Sequence, residues 1–258
     1  MLSRADRYFE LADRVVVVTG ASSGLGKGIA EDLIAAGALV VAGARRVDLL
    51  QALSQDADRL AAVQCDVRVE EDRRRLIAVA VERFGRLDGL VNNAGITGRG
   101  VPAAHETADE FSAMIDVNLR APLDLAVKAV AAMRACGGGS IVNITSTAST
   151  QTLGTAVPQA LYCSSKAGLA HLTRELAIQW GRYGVRVNAV APGWTPSGMT
   201  GDVTGIASGM PAWVETRVAL KRPGKPQDIA SCVHFLLSEA ASYITGQEIA
   251  VDGGWSVG

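Results

Sequence analysis

The 258 residues carry 25 Lys and Arg against 26 Asp and Glu, a formal charge of −1 with a pI near 6.3. This balance argues against a nucleic-acid partner, which favours a basic face, and no apolar run approaches the ~20 residues needed to span a bilayer. The start, Met1-Leu2-Ser3-Arg4-Ala5-Asp6-Arg7, lacks a signal-peptide core, and Cys65, Cys136, Cys163 and Cys232 show neither metal nor redox spacing, so a cytoplasmic protein with free thiols and no metal is expected.

Along the chain, short apolar runs alternate with helical patterns. Val15-Val16-Val17-Val18 reads as the first strand, followed by a helix running to about Ala36. Leu39-Val40-Val41-Ala42 and Leu60 to Cys65 read as the next two strands. A helix over Glu70 to Phe84 opens on three acids, carries Leu76, Val79 and Ala80 as an apolar stripe, and stops at Gly85. Leu90-Val91, Ile141 to Ile144, Val185 to Val190 and Glu248 to Val251 complete the strands, with a helix opening near Pro226-Gln227-Asp228. The runs are continuous rather than alternating, as in a parallel sheet covered on both faces. The pattern predicts an α/β fold, a Rossmann-type doubly wound parallel sheet. No repeat, linker or composition shift marks a boundary, so one domain over 1–258 is expected.

Two motifs carry chemistry. Gly20, Gly24 and Gly26 follow the first strand and open its helix. Glycines let backbone approach a pyrophosphate, and a helix N-terminus offers free N–H groups and a positive dipole end. Alone, the turn could be a plain β–α connection. Tyr162 and Lys166, four residues apart, share one face of a helix. An ammonium beside a phenol favours the phenolate and lowers a pKa that is ordinarily about 10. A lone tyrosine would more readily be a satisfied core residue, and a lone lysine a solvated one. Together with a phosphate turn and Ser146 upstream, the pair points to proton transfer coupled to a nucleotide cofactor, hence redox chemistry at a carbon–oxygen bond.

From Val15 to Gly254 the chain resembles the short-chain dehydrogenase/reductase family in its single-domain form. The marks are Thr19-Gly20-x-x-x-Gly24-x-Gly26, Asn92-Asn93-Ala94-Gly95, Asn118, Ser146, Tyr162-x-x-x-Lys166, Asn188, Pro192-Gly193, Ile244-Thr245-Gly246-Gln247 and Val251-Asp252-Gly253-Gly254. The resemblance implies that Tyr162 is the general acid and Lys166 stabilises its anion and bonds the nicotinamide ribose. It implies that Ser146 holds the substrate oxygen and that Asn118 helps retain a water serving Lys166. It further implies a cofactor wall of Gly20, Ser22, Ser23, Gly24, Leu25 and Gly26 at the first turn, and of Asp66, Val67, Asn93, Ala94 and Gly95 beside it. Pro192, Gly193, Thr195 and Ser197 would close over the nicotinamide. Asn92, Asn93 and Asn188 read mainly as scaffolding. Two departures stand out: Ser197 takes the place of a threonine, and the stretch from Thr147 to Leu161 is longer than in many relatives.

Cofactor preference is read after the second strand. Relatives that prefer NAD place an acid there; here the place falls on Ala44, followed by Arg45 and Arg46. A guanidinium pairs well with phosphate oxygens, so NADP(H) is favoured over NAD(H), with Arg46 open to the alternative of starting the next helix in solvent. The stretch around 194–220, glycine-rich with large apolar residues, suits a mobile lid over a neutral or mostly apolar substrate. Arg99 and His105 could reach an anionic group, although solvated loop residues are the plainer reading. The expected reaction interconverts a ketone and a secondary alcohol of a small molecule. A 3-oxoacyl-carrier-protein reductase is one alternative, weakened because the basic residues such relatives carry near the entrance fall on Gly137 and Tyr183, with Arg134 and Arg182 close by. A sugar or polyol dehydrogenase is another. A catalytically idle nucleotide sensor or scaffold is a third, and it would typically lack Tyr or Lys of the pair. The apolar Leu161, Leu169, Leu172, Leu176 and Trp180 suggest a helix that pairs between copies, and with the resemblance a homotetramer.

Overall fold

The computed structural model describes residues 8–54, 56–153, 158–196 and 216–257. Seven strands form one all-parallel sheet: β1 (Val15–Thr19), β2 (Leu39–Ala44), β3 (Leu60–Gln64), β4 (Gly89–Asn92), β5 (Gly139–Ile144), β6 (Val185–Pro192) and β7 (Glu248–Val251). Their order is β3-β2-β1-β4-β5-β6-β7, so the chain winds outward one way from β1 and the other way from β4. Such a reversal leaves a crevice at the strands' C-terminal ends, where ligands of doubly wound sheets bind.

The apolar strands are buried because helices cover both faces. On one side α1 (Gly24–Ala35), the short α2 (Val47–Gln51) and α7 (Pro226–Leu237) pack against Val16, Val18, Val40 and Val142. On the other, α3 (Glu70–Phe84), α5 (Ala121–Ala135) and α6 (Ala160–Trp180) pack against Val15, Val17, Leu90 and Ile141. The α3 helix keeps its expected bounds, with Glu70, Glu71 and Asp72 in the first turn and Gly85 left-handed at φ 76°. α7 has proline at its start and Asp228 bonded back to the Lys225 N–H at 2.8 Å.

One expectation needs correction. Leu169, Leu176 and Trp180 of α6 are buried in this chain's own core, because the helix turns that stripe to β5 and β6. The apolar residues left outward are Ile178 on α6 and Leu123 and Val127 on α5. Between α4 (Ala108–Ile115) and α5 lies a π-helical segment, Asp116–Arg120, which carries Asn118. Of the anticipated lid, 197–215, and with it Ser197, lies outside the described residues. No helix among the described residues is long and apolar enough to cross a membrane.

Candidate active site

A cleft of about 750 Å³ opens at the C-terminal ends of the strands. Its first wall is the glycine turn. Gly20 (φ 67°) and Gly24 (φ 57°) adopt left-handed backbone, and the turn is tied to β2 by Gly20 N–H donating to Gly43 O at 2.8 Å. A Cβ on Gly26 would overlap the Asn93 Nδ2 and the Gly20 carbonyl. The loop can therefore close against the sheet only without a side chain there. Ser23 caps α1 with extended backbone but makes no side-chain cap bond, and no acid occupies the first turn. This helix start faces the cleft with the free N–H groups and positive dipole that suit a pyrophosphate.

Asn93 braces this turn. Its Nδ2 donates to Thr19 O at 2.9 Å and Gly20 O at 3.3 Å, while the buried Thr19 Oγ1 accepts from the N–H groups of Asn93 and Ala94, both at 3.0 Å. Asn92 points the other way: Nδ2 donates to Asn143 Oδ1 at 2.9 Å, and Asn143 passes a bond to Thr173 of α6 at 2.9 Å. Asn188 Nδ2 donates to Ile244 O at 2.8 Å, fastening β6 to the approach of β7. These asparagines act as scaffolding, while Gly95, Ala94 and Asn93 also line the cleft.

One end of the cleft is basic. Arg45, Arg46 and Arg68 line it beside Ser22, Ala44, Asp66 and Val67. Arg46 does not merely begin a helix in solvent: its guanidinium donates to Ser22 Oγ at 3.3 Å and Ser23 Oγ at 2.9 Å. Arg68, which the sequence left unremarked, grips the Asp66 carboxylate, with Nη2 to Oδ2 at 2.6 Å. That bond, with a smaller pull from Arg45, holds the Asp66 carboxyl below its ordinary pKa despite partial burial.

The candidate reacting groups gather mid-cleft. Ser146 follows β5, and its Oγ accepts from the Ala148 N–H at 3.1 Å and hydrogen-bonds Tyr162. Tyr162 and Lys166 come from the first turns of α6. The expected lowering of the Tyr162 pKa is absent from this arrangement. Withdrawal from water pushes the phenol up, with the Ser146 bond opposing. The reason is where the lysine goes: Nζ sits 5.9 Å from the Tyr162 ring centroid and donates instead to Ile144 O at 2.8 Å. Burial drops the Lys166 pKa to about 8. Asn118, fully buried in the π segment, accepts from Ile96 N–H at 2.9 Å and donates to Ile96 O at 2.9 Å and Ser165 Oγ at 3.0 Å. Gly95 lies between the two side chains: a Cβ there would stand 3.3 Å from Asn118 Oδ1 and 3.5 Å from Lys166 Nζ.

Pro192, Gly193 and Thr195 line the far wall, with Gly193 N–H donating to Val251 O at 3.0 Å. Leu153, Gln159, Arg217 and Trp255 also line the cleft; the first three fall in the longer Thr147–Leu161 stretch and the anticipated lid, although none was singled out, and Trp255 carried no sequence signal. Arg99 and His105 are not on the cleft wall; Arg99 is engaged by Glu110 and donates to His105 O at 2.9 Å. Gly137 and Tyr183 precede β5 and β6, at the sheet edge opposite the cleft, and the Arg134 and Arg182 guanidiniums stack on the Tyr183 ring at 3.9 and 4.7 Å. Within one chain they do not border the entrance.

A glycine turn under a helix start, a basic pocket at the end of β2, and a serine, tyrosine and lysine grouped mid-cleft define a dinucleotide-dependent oxidoreductase on a doubly wound sheet. Residues 20–256 match a family described as enoyl-(acyl carrier protein) reductase. The chain is 37% identical to a levodione reductase from Leifsonia aquatica, covering 95% of this chain and 94% of that one. It is also 37% identical to a cis-4-hydroxycyclohexanecarboxylate dehydrogenase from Sinomonas cyclohexanicum, over 95% and 97% of the two chains. A solved structure of a putative NAD(P)-dependent gluconate 5-dehydrogenase from Beutenbergia cavernae, with NADP bound at low occupancy, superposes with a TM-score of 0.89 at 36% identity, covering 97% of this chain and all of that one. The chain belongs to the short-chain dehydrogenase/reductase family, nicotinamide-dependent oxidoreductases of alcohol and carbonyl groups.

Proposed function

We propose that this protein is an NADP(H)-preferring enzyme that interconverts a small ketone and its secondary alcohol, with Tyr162 as proton donor and acceptor. The observation that carries the reading is the grouping of Ser146, Tyr162 and Lys166 on one cleft with the glycine turn. Gly20, Gly24 and Gly26 and the α1 N-terminus would hold the pyrophosphate, and Arg45 and Arg46 the 2′-phosphate. When bound, the nicotinamide supplies or accepts the hydride.

The chain's own residues handle the proton. Ser146 Oγ accepts from Ala148 N–H and has one hydrogen, given to Tyr162 at rest, which would turn to a substrate oxygen when one binds. Tyr162 gives its proton to that oxygen as the carbonyl becomes an alcohol, and takes it back in the reverse direction. The tyrosinate so formed lies beside the Lys166 ammonium, which lowers the energy of the anion rather than shifting the resting phenol. Asn118 holds the loop after β4 against α6 through Ile96 and Ser165, and so fixes the Lys166 side of the cleft. The raised phenol pKa keeps the proton on Tyr162 until a substrate oxygen draws it off.

The protein would fold as one domain, with a lid over the substrate end, and act in the cytoplasm, consistent with cysteines that are all free. Ile178, Leu123 and Val127, exposed on α6 and α5, support association of copies through these helices into a homotetramer. Light scattering at micromolar concentration checks this, and a monomer refutes it. NADPH oxidation against a panel of ketones, with NADP reduction against the matching alcohols, tests the function. Turnover with at least one ketone is expected; none across the panel refutes the reading.

A further inference from the structure

Past the reacting groups, the cleft ends in apolar walls and one cation. Leu153, Trp194 and Trp255 form the walls, and the Arg217 guanidinium lies over the Trp255 ring, 5.6 Å from its centroid. The position of Arg217 is built. The Asp252 carboxylate accepts from the N–H groups of Gly254 at 2.9 Å and Ser256 at 2.8 Å, setting the turn that carries Trp255. The segment after Arg217 is pinned to the same turn: Leu220 N–H donates to Gly253 O at 3.0 Å, and buried Val218 packs on Gly253.

Among the described residues no acid at this end is ion-paired with Arg217, and the Asp252 carboxylate is taken up by its own turn. Among the described residues the only carboxylate on the cleft wall is Asp66, held by Arg68 at the opposite end. Glu106 lies beside Gly98 and does not line the cleft. Gln159 is occupied by the loop after β4, accepting from Thr97 Oγ1 and Gly98 N–H, each at 3.2 Å. Arg217 is exposed at this rim, and its guanidinium, set over the indole, presents a planar fork that suits a carboxylate.

We infer that Arg217 binds a carboxylate of the substrate, and that the substrate is a small ring ketone, or the matching ring alcohol, bearing an acid group. The inference rests on the function proposed above. Indole and leucine walls suit the faces of an aliphatic or aromatic ring and offer little to a polyol, whose hydroxyls would each need a partner. Arg217 thereby sets specificity at the end of the cleft away from the 2′-phosphate pocket.

The test compares 4-oxocyclohexanecarboxylate with 4-methylcyclohexanone as substrates of wild type, Arg217→Gln and Arg217→Lys. A charge-assisted contact gives about a 10- to 100-fold preference for the acid in kcat/KM, carried mainly by KM. That preference should collapse in Arg217→Gln and return in part in Arg217→Lys. Ketone turnover with no preference for the acid, or a preference that Arg217→Gln leaves in place, overturns the inference while the proposed function stands. Tryptophan fluorescence titrated with cyclohexanecarboxylate, in the presence of NADP, separates the two further. If neither ketone is turned over, cyclohexanecarboxylate binding decides the inference, weakening in Arg217→Gln sustaining it and unweakened binding overturning it, while the ketone panel decides the proposed function.

Discussion

The basic end of the cleft makes the cofactor preference a quantitative question. Ala44, buried at the end of β2, stands where a carboxylate would meet the ribose hydroxyls, and Arg45 follows it at the surface. A charge-assisted bond from a guanidinium to the 2′-phosphate contributes ~1.5–3 kcal/mol, or about 10- to 100-fold in affinity. Arg45 is exposed, so salt screening places its share toward the lower end. Under the proposed reading Arg46, anchored on Ser22 and Ser23, would supply the remainder. Wild type should therefore bind NADPH at least about tenfold more tightly than NADH. Ala44→Asp with Arg45→Ala should reverse the preference, since the new carboxylate gains the hydroxyls and repels the phosphate. The loss should appear as a raised KM for NADPH with little change in kcat, because the 2′-phosphate binds ground state and transition state alike. Nicotinamide fluorescence titrations of both cofactors, at low and high ionic strength, measure it. Equal or tighter binding of NADH by wild type, or a ratio that the double variant leaves unmoved, would refute the reasoning.

Three further outcomes follow from single positions. Gly26→Ala has no room for its methyl against Asn93 and Gly20, so NADPH affinity should fall by at least tenfold, read by the same titration. Gly85→Ala meets no obstacle but must hold φ 76° at the end of α3; the strain of about 1 kcal/mol should lower Tm by roughly 2–4 °C in calorimetry with activity unchanged. Lys166 titrates near 8 in the fold and at its ordinary 10.5 when unfolded. Between these values the unfolded chain binds the extra proton, so this lysine makes stability rise with pH across that window. Urea denaturation at pH 7.5 and 9.5 should show a smaller rise, or none, in Lys166→Met.

Much of the fold was legible because buried parallel strands are nearly uninterrupted runs of valine, isoleucine, leucine and alanine, which local periodicity reads well. The α3 helix was legible to its ends because its acids and Gly85 mark them. The π segment around Asn118 was not, since it depends on Asn118 bridging Ile96 and Ser165 across the fold. The site divides in the same way. Gly20, Ser146, Tyr162 and Lys166 announce themselves by spacing. The acceptor for Lys166 is a backbone carbonyl, Ile144 O, which no side-chain motif encodes. The lowered tyrosine pKa failed because helical spacing shows that two residues share a face, not where a four-carbon side chain ends. Trp255 reaches the cleft through tertiary packing, whereas Arg68 and Arg217 sit beside or within stretches the sequence marked without any motif of their own.

The proton step at Tyr162 is the centre of the account, and Tyr162→Phe addresses it directly. The substitution removes one hydroxyl from a side chain bonded to Ser146. Fold and NADPH affinity should therefore stay close to wild type in circular dichroism and fluorescence titration. Single-turnover NADPH oxidation with a ketone that wild type reduces should slow by at least ~10²-fold, the lower end of what a general acid contributes. A Tyr162→Phe enzyme that binds NADPH normally and oxidises it at near the wild-type rate would contradict the account.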